Sequence, residues 1–216
     1  FHYALKKMKS KISIFVLLVF LSCSKTLVEP VNESTEQKEN DDSNEEEISL
    51  NADYNLLFVG NSLTYYNDLP NLVKEIAANR DILINTEMLA KGNYAIVDHW
   101  ADGQVQTLIR SKKYDYVIIQ QGPSSQAEGY DMLINGGKQY ADLCKANEVK
   151  LAYYMVWPSR QYYHTFSVVI NNNTAAAEAN DAILCPVGKV WKEHFDRTND
   201  FSYYGLDQFH PSVQGS

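Results

Sequence analysis

Apolar runs alternate with helical spacings along residues 51–216. YNLLFVG (54–60), ILINTEML (82–89), YDYVIIQQ (114–121) and VKLAYYMVW (149–157) are near-continuous apolar runs and read as strands buried on both faces. Between them lie helical patterns: DLPNLVKEIAANR with Pro70 in its first turn, IVDHWADGQVQTLIRS, weakened at Gly103, and LINGGKQYADLCKAN. A helix-prone TAAAEANDAI, a short apolar ILCPV and GKVWKEHF follow. This alternation predicts an α/β fold, a three-layer α/β/α sandwich with a central parallel sheet. In such sheets the ligand crevice opens beyond the carboxyl ends of the strands. Ser62, Gly92, Gln121 and Trp157 each follow a strand end and are expected to face one crevice.

The first residues break this pattern. Lys6, Lys7, Lys9 and Lys11 precede ISIFVLLVFLS, an apolar stretch ended by Cys23. A basic segment followed by a short apolar one reads as a secretory signal. The stretch falls short of the roughly 18–20 apolar residues that a membrane-spanning helix needs. Met8 stands directly before the basic run, so residues 1–7 are open to being an over-extended reading frame. FLSCSK resembles the lipobox of bacterial lipoproteins, which implies cleavage before Cys23 and lipidation there; an ordinary signal with an incidental cysteine is the alternative. A lipid chain tethers a domain to a membrane surface without threading it through. Residues 24–50 are acidic and free of aromatics, the composition of a disordered spacer.

Charge changes the picture mainly through its distribution. The formal total of −8 comprises +4 over residues 1–23 and −7 over the spacer, which leaves −5 for residues 51–216. That balance argues against a nucleic-acid partner, which would require a basic face. Hydrophobic content of 45% and aromatic content of 12% suffice for a real core. Cys144 and Cys185 lie in apolar-periodic stretches and are expected as buried free thiols, and no Cys/His cluster has metal-ligand spacing.

The chemistry-bearing residues sit at the two ends of the domain. Ser62 follows the first strand in FVGNSLT, and a serine hydroxyl becomes nucleophilic only when an oriented base takes its proton. His99 and His194 lie in helical patterns, and His164 sits in the polar-aromatic SRQYYHTF, which reads as a loop and could at most line a substrate cleft. His210, in GLDQFHPS, is three residues after Asp207 and directly before Pro211. Proline holds its predecessor out of the α region, and a turn over 207–210 can bring carboxylate and imidazole together.

Together FVGNSLT and DQFHPSVQGS resemble the first and last conserved blocks of the SGNH/GDSL hydrolases, and the likeness extends in strand–helix order over 51–216. Asn61 replaces the common aspartate of the first block, and Thr64, before Tyr65, stands where the Gly-x-Ser-x-Gly elbow of other hydrolases has its second glycine. The resemblance implies the flavodoxin-like SGNH fold, with Ser62 as nucleophile, His210 as general base and acid, and Asp207 as its orienter. It further implies oxyanion donors from the amides of Ser62 and Gly92 and from a side chain of the third block. That block is here QQGPSS, so the donor is Gln121 or, by position, Ser124. Asn61, Trp157 and Tyr163 are candidate substrate-binding residues.

A serine esterase follows as the expected function, with no metal or cofactor, acting on small-molecule or polysaccharide esters. An exported lipoprotein with a long spacer associates with external polymers, hence the expectation of a carbohydrate O-acetylesterase, periplasmic or at the cell surface, that touches membrane only through its anchor. A lipase or thioesterase of the same family, and a non-catalytic carbohydrate-binding domain that retains the fold, are the alternatives. The family normally continues into a closing helix after the last motif, so the chain is expected to be truncated at its C-terminus.

Overall fold

The computed structural model describes residues 52–216; the leader, Cys23 and the acidic spacer lie outside the described residues. Five parallel strands form the sheet: β1 (Tyr54–Gly60), β2 (Ile84–Ala90), β3 (Tyr116–Ile119), β4 (Lys150–Tyr154) and β5 (Ile183–Cys185). Their spatial order is β2-β1-β3-β4-β5, the flavodoxin-like arrangement. The chain reverses its direction of travel between β1 and β3, and at that switch point a crevice opens beyond the strand ends. Ser62 emerges there, two residues after β1.

Alternation along each strand divides the apolar residues between two cores. Leu57 and Val59 of β1, Val117 and Ile119 of β3, and Leu151 and Tyr153 of β4 share one cluster. Phe58, Ile118, Ala152 and Tyr154 belong to the other. Successive side chains in a strand point to opposite faces, so continuous apolar runs require cover on both sides. The first face is covered by α3 (Ile96–Asp102), α4 (Gln104–Arg110) and α6 (Gly137–Ala146), through Ile96, Val105, Ile109, Tyr140 and Cys144. The second is covered by α2 (Leu69–Ala78) and α8 (Val187–Thr198), through Leu69, Trp191 and Phe195. The fold is thus the expected α/β/α sandwich.

Three local differences from the sequence reading have physical causes. The helix expected over 96–111 is two helices, because Gly103 adopts φ 80, a conformation that ends α3. The helix expected over 133–147 begins earlier, as α5 (Ala127–Asp131), and passes through a π-turn at Met132–Gly136 before α6. SRQYYHTF, read as a loop, is largely a 3-10 helix, Arg160–Thr165, that leads into α7 (Phe166–Ala179). Phe166 and Val169 are fully buried, but the polar run Asn171-Asn172-Asn173 masks the helical period in the sequence. Cys144 and Cys185 are free, and burial pushes the Cys144 thiol up to about 12. No helix among the described residues is long and apolar enough to cross a membrane.

Candidate active site

The turn that carries Ser62 is built by its neighbours. Asn61 precedes α1 (Ser62–Tyr65), and its side-chain oxygen accepts from the Leu63 amide at 3.0 Å as an N-cap. Its side-chain amide donates to the Tyr94 carbonyl at 3.0 Å, which ties the turn to the loop after β2. Gln120, directly after β3, accepts from the Asn61 amide at 3.0 Å and from the Thr64 hydroxyl at 2.7 Å through one carbonyl oxygen. Gly60 makes this approach possible. A Cβ there would stand 2.2 Å from Thr64 Oγ1 and 2.5 Å from Gln120 Oε1. His99 closes the turn from below, its Nε2 2.7 Å from the Gly60 carbonyl. A carbonyl only accepts, so Nε2 carries the proton and the buried Nδ1 is left without a partner. Burial above all holds His99 below the ordinary histidine range, although the bond to Gly60 opposes the shift.

The histidine arrives on an equally constrained loop. Asp207 Oδ1 accepts from the amides of Phe209 at 3.0 Å and His210 at 2.9 Å, an arrangement that curls the chain back on itself. Asp207 Oδ2 is then 2.5 Å from His210 Nδ1, and His210 Nε2 is 2.8 Å from Ser62 Oγ. Outside this chain of contacts, Gly205 donates to the His210 carbonyl at 2.7 Å and Tyr204 pairs with Pro211 in an antiparallel bridge. Partial burial is the largest influence on the Asp207 carboxyl and pushes it up. The bonds from His210 and from the two amides together outweigh it and hold the group below the usual carboxylate range. Asp207 is therefore ionised at neutral pH and accepts the Nδ1 proton of His210. Nε2 is left as the acceptor that faces Ser62, at a distance suited to proton transfer.

Two contacts of this histidine escaped the sequence reading. The Tyr66 ring stacks on the His210 imidazole at 4.5 Å, with the planes 21° apart. Asn67 donates to the Pro211 carbonyl at 3.1 Å and to Ser216 Oγ at 2.9 Å, which fastens the histidine loop to the segment after the Ser62 turn. Asn67 and Asp68 take left-handed φ values of 54° and 53°. Asn-Asp before Leu-Pro was a legible turn signal, but the identity of its distant partner was not.

Other predicted residues sit elsewhere or are otherwise engaged. Gly92 lies exposed in the turn after β2, near the Tyr65 hydroxyl. Gln121 is buried, and its amide donates to Ser124 Oγ at 2.7 Å and to the Gly129 carbonyl at 3.0 Å. Ser124 in turn donates to the Gly122 carbonyl at 2.8 Å. Both residues thus direct their donors into their own loop and not toward Ser62. Trp157, expected at the substrate, is fully buried: it stacks on Trp191 at 3.5 Å and donates to the Phe209 carbonyl at 2.9 Å, which supports the histidine loop from beneath. Tyr163, also expected at the substrate, packs on Phe166 and Phe201 and donates to Asp196. Asn61, a candidate for substrate binding, is instead buried, with its side-chain oxygen bonded to the Leu63 amide and its side-chain amide to the Tyr94 carbonyl. Among the described residues no cluster of His, Cys, Asp or Glu is arranged to hold a metal ion.

A groove of about 1260 Å³ opens beside Asp207, between the loop after β3, the segment 158–165 and residues 207–209. Arg160, Tyr162 and His164 line it, so part of SRQYYHTF does face a cleft. Ser62 and His210 are not among its lining residues, and the groove adjoins the Ser62–His210–Asp207 cluster on the Asp207 side.

No protein-family model and no curated protein matches the sequence. Solved structures do match. A Slackia heliotrinireducens protein assigned to the SGNH hydrolases superposes with a TM-score of 0.62 at 20% identity, over 76% of this chain and 93% of that one. The chain has the SGNH hydrolase fold. A variant of Axe2, an acetyl xylan esterase from Geobacillus stearothermophilus, matches at TM-score 0.59 and 14% identity, over 76% of this chain and 89% of its own. The lipase/acylhydrolase of Enterococcus faecalis gives 0.61 at 12% identity, over 75% and 89%. At these identities the likeness carries the SGNH fold alone; the chemistry rests on the geometry above.

Proposed function

We propose that the protein is a serine esterase that hydrolyses carboxylic esters through an acyl-enzyme. The observation that carries this reading is the unbroken contact from Asp207 through His210 to Ser62, at 2.5 and 2.8 Å. Ser62 Oγ attacks the ester carbonyl while His210 Nε2 takes its proton, and Asp207 holds the imidazole in the required tautomer. The amide of Ser62 opens α1, where a backbone N–H has no intrahelical acceptor, and serves as an oxyanion donor; the second, implied by the family resemblance, is the amide of Gly92, exposed in the turn after β2. His210 returns the proton to the departing alcohol, then activates the water that releases the acid.

Carbohydrate O-acetyl esters are the preferred substrate class. The open groove beside Asp207, roomy enough for sugar rings, supports that choice over a long-chain lipid ester or a thioester; the fold resemblance extends to an acetyl xylan esterase and a lipase/acylhydrolase alike. Export and anchoring through Cys23 belong to the same proposal and rest on the leader and lipobox of the sequence.

One observation favours a second reading, a binding domain without activity: neither Gln121 nor Ser124 offers a side-chain donor to the site. A short-chain aryl acetate separates the two. The full chain should hydrolyse it, and Ser62→Ala should lose roughly 10³-fold or more in kcat. Equal rates for the folded wild type and Ser62→Ala would leave the binding domain as the surviving reading.

A further inference from the structure

Arg160 stands on the wall of the groove and is held in place from three sides. Its amide donates to the Gln208 carbonyl at 2.9 Å, its guanidinium donates to Gln208 Oε1 at 2.9 Å, and the same guanidinium lies 4.4 Å over the Phe201 ring. Gln208 is itself fixed: it follows Asp207 directly and adopts φ 60. Among the described residues no carboxylate lies within ion-pair distance of Arg160. A guanidinium has five N–H donors in a rigid fork, so the bond to Gln208 leaves most of them free. The one carboxylate on the groove wall, Asp207, is already committed to His210. The groove therefore presents an immobilised, unneutralised cation in a domain whose overall charge is negative.

We propose that this groove is an anion subsite, in which Arg160 binds a sugar carboxylate on the alcohol portion of the substrate, so that the ester acted upon belongs to an acidic, uronate-type glycan. The ester part of this statement rests on the esterase reading; the anion part rests on the groove alone. Planar two-point pairing between guanidinium and carboxylate suits a fork whose orientation is fixed before binding. The remaining walls fit the sugar. Tyr162, 55% exposed, and Phe209 offer ring faces to C–H surfaces, while Ser125, Gln126 and Gln161 offer amides and hydroxyls to ring hydroxyls. The groove touches Asp207 and not Ser62, which assigns it the distal sugars and not the acyl group.

The test is binding without turnover, so that it stands whether or not the ester is cleaved. Unesterified trigalacturonate and its neutral galactose counterpart are titrated into the full chain by calorimetry, at low and at physiological salt. The unmodified protein should bind the anionic trisaccharide more tightly, and added salt should erode the preference. Arg160→Met should weaken trigalacturonate about tenfold or more and leave the neutral sugar unchanged, with Arg160→Lys between the two. Arg160 also braces Gln208, and a purely bracing role would weaken both sugars alike. Equal binding of the two sugars by the unmodified protein, equal loss of both in Arg160→Met, or binding of neither would each overturn the proposal. The preference of the unmodified protein decides the matter even if a variant does not fold.

Discussion

The Ser62 turn and the loop after β3 lie side by side at the strand ends, yet they treat their polar groups in opposite ways. In the turn, Asn61, Gln120, Thr64 and His99 bond to the backbone or to each other and leave Ser62 Oγ to His210 alone. In the loop, Gln121 and Ser124 donate inward to Gly129 and Gly122, and no side-chain donor is left for the site, although the buried Gln121 Oε1 has no partner. The same chemistry of buried amides yields a presented hydroxyl in one place and inward-turned donors in the other. A buried donor left unpaired costs about 1–3 kcal/mol, so a loop that can satisfy itself does so unless a ligand competes. A polar residue near a strand end is therefore a weak predictor of a donor to the site, because its own loop competes for its hydrogen bonds.

The comparison breaks most visibly if the committed side is disturbed. Asp207→Asn keeps the bulk of the side chain but gives His210 Nδ1 a less certain partner. The expected loss is roughly 10³–10⁴-fold in kcat with an unchanged fold, read by aryl acetate kinetics beside circular dichroism. A fall of less than tenfold would mean that the contact at 2.5 Å orients nothing of consequence. Next in size is Gly60→Ala. A methyl at 2.2 Å from Thr64 Oγ1 and 2.5 Å from Gln120 Oε1 forces both side chains to retreat. Overpacking of this kind costs about 1–3 kcal/mol, measurable by denaturant titration. If Gly60→Ala unfolds at the same denaturant concentration as the wild type, the turn is looser than its contacts imply.

His99 supplies a pH test of the same turn. Its folded-state pKa lies below the unfolded value, chiefly through burial, so the unfolded chain binds more protons in acid. Stability should thus be full above about pH 6.5, the unfolded value, and decline as pH falls below it. The slope from this one group is at most about 1.4 kcal/mol per pH unit. His99→Gln, which can still donate to the Gly60 carbonyl, should flatten that part of the profile. An unaltered acid slope in His99→Gln would assign it to other groups.

The sheet was legible because each strand is an apolar run with both faces covered, and β1 spans the residues that the pattern delimits. Ser62, Asp207 and His210 were legible as residues because short motifs at each end of the domain carry them. Their contact was not, since 148 positions separate Ser62 from His210. Trp157 and Tyr163 misled for one reason: an aromatic after a strand end can equally underlie a loop as line a cleft, and only packing decides. Only the end of α7 was legible, in TAAAEANDAI, because a run of asparagines interrupts the apolar face of its first turns, although Asn173 is buried and donates to the Val169 carbonyl one turn earlier. Arg160 and Tyr66 act through partners more than 40 positions away, and no local spacing encodes such partners.

The smallest expected kinetic effect bears most directly on the contrast between the two segments. Gln121→Met retains length but removes the donors to Ser124 and Gly129. It leaves the Gly129 carbonyl without this partner, so a stability loss of about 1–3 kcal/mol is expected. Compared per folded molecule, kcat on aryl acetate should change less than about fivefold, because the lost donors point into the loop. A side chain that supplied an oxyanion bond would cost about 10²–10³-fold in kcat when removed. A loss of that size, with KM unchanged, would mean that Gln121 turns toward the substrate during the reaction. The loop would then hold its donors inward only while the site is empty, and the contrast with the Ser62 turn would become one of timing and not of architecture.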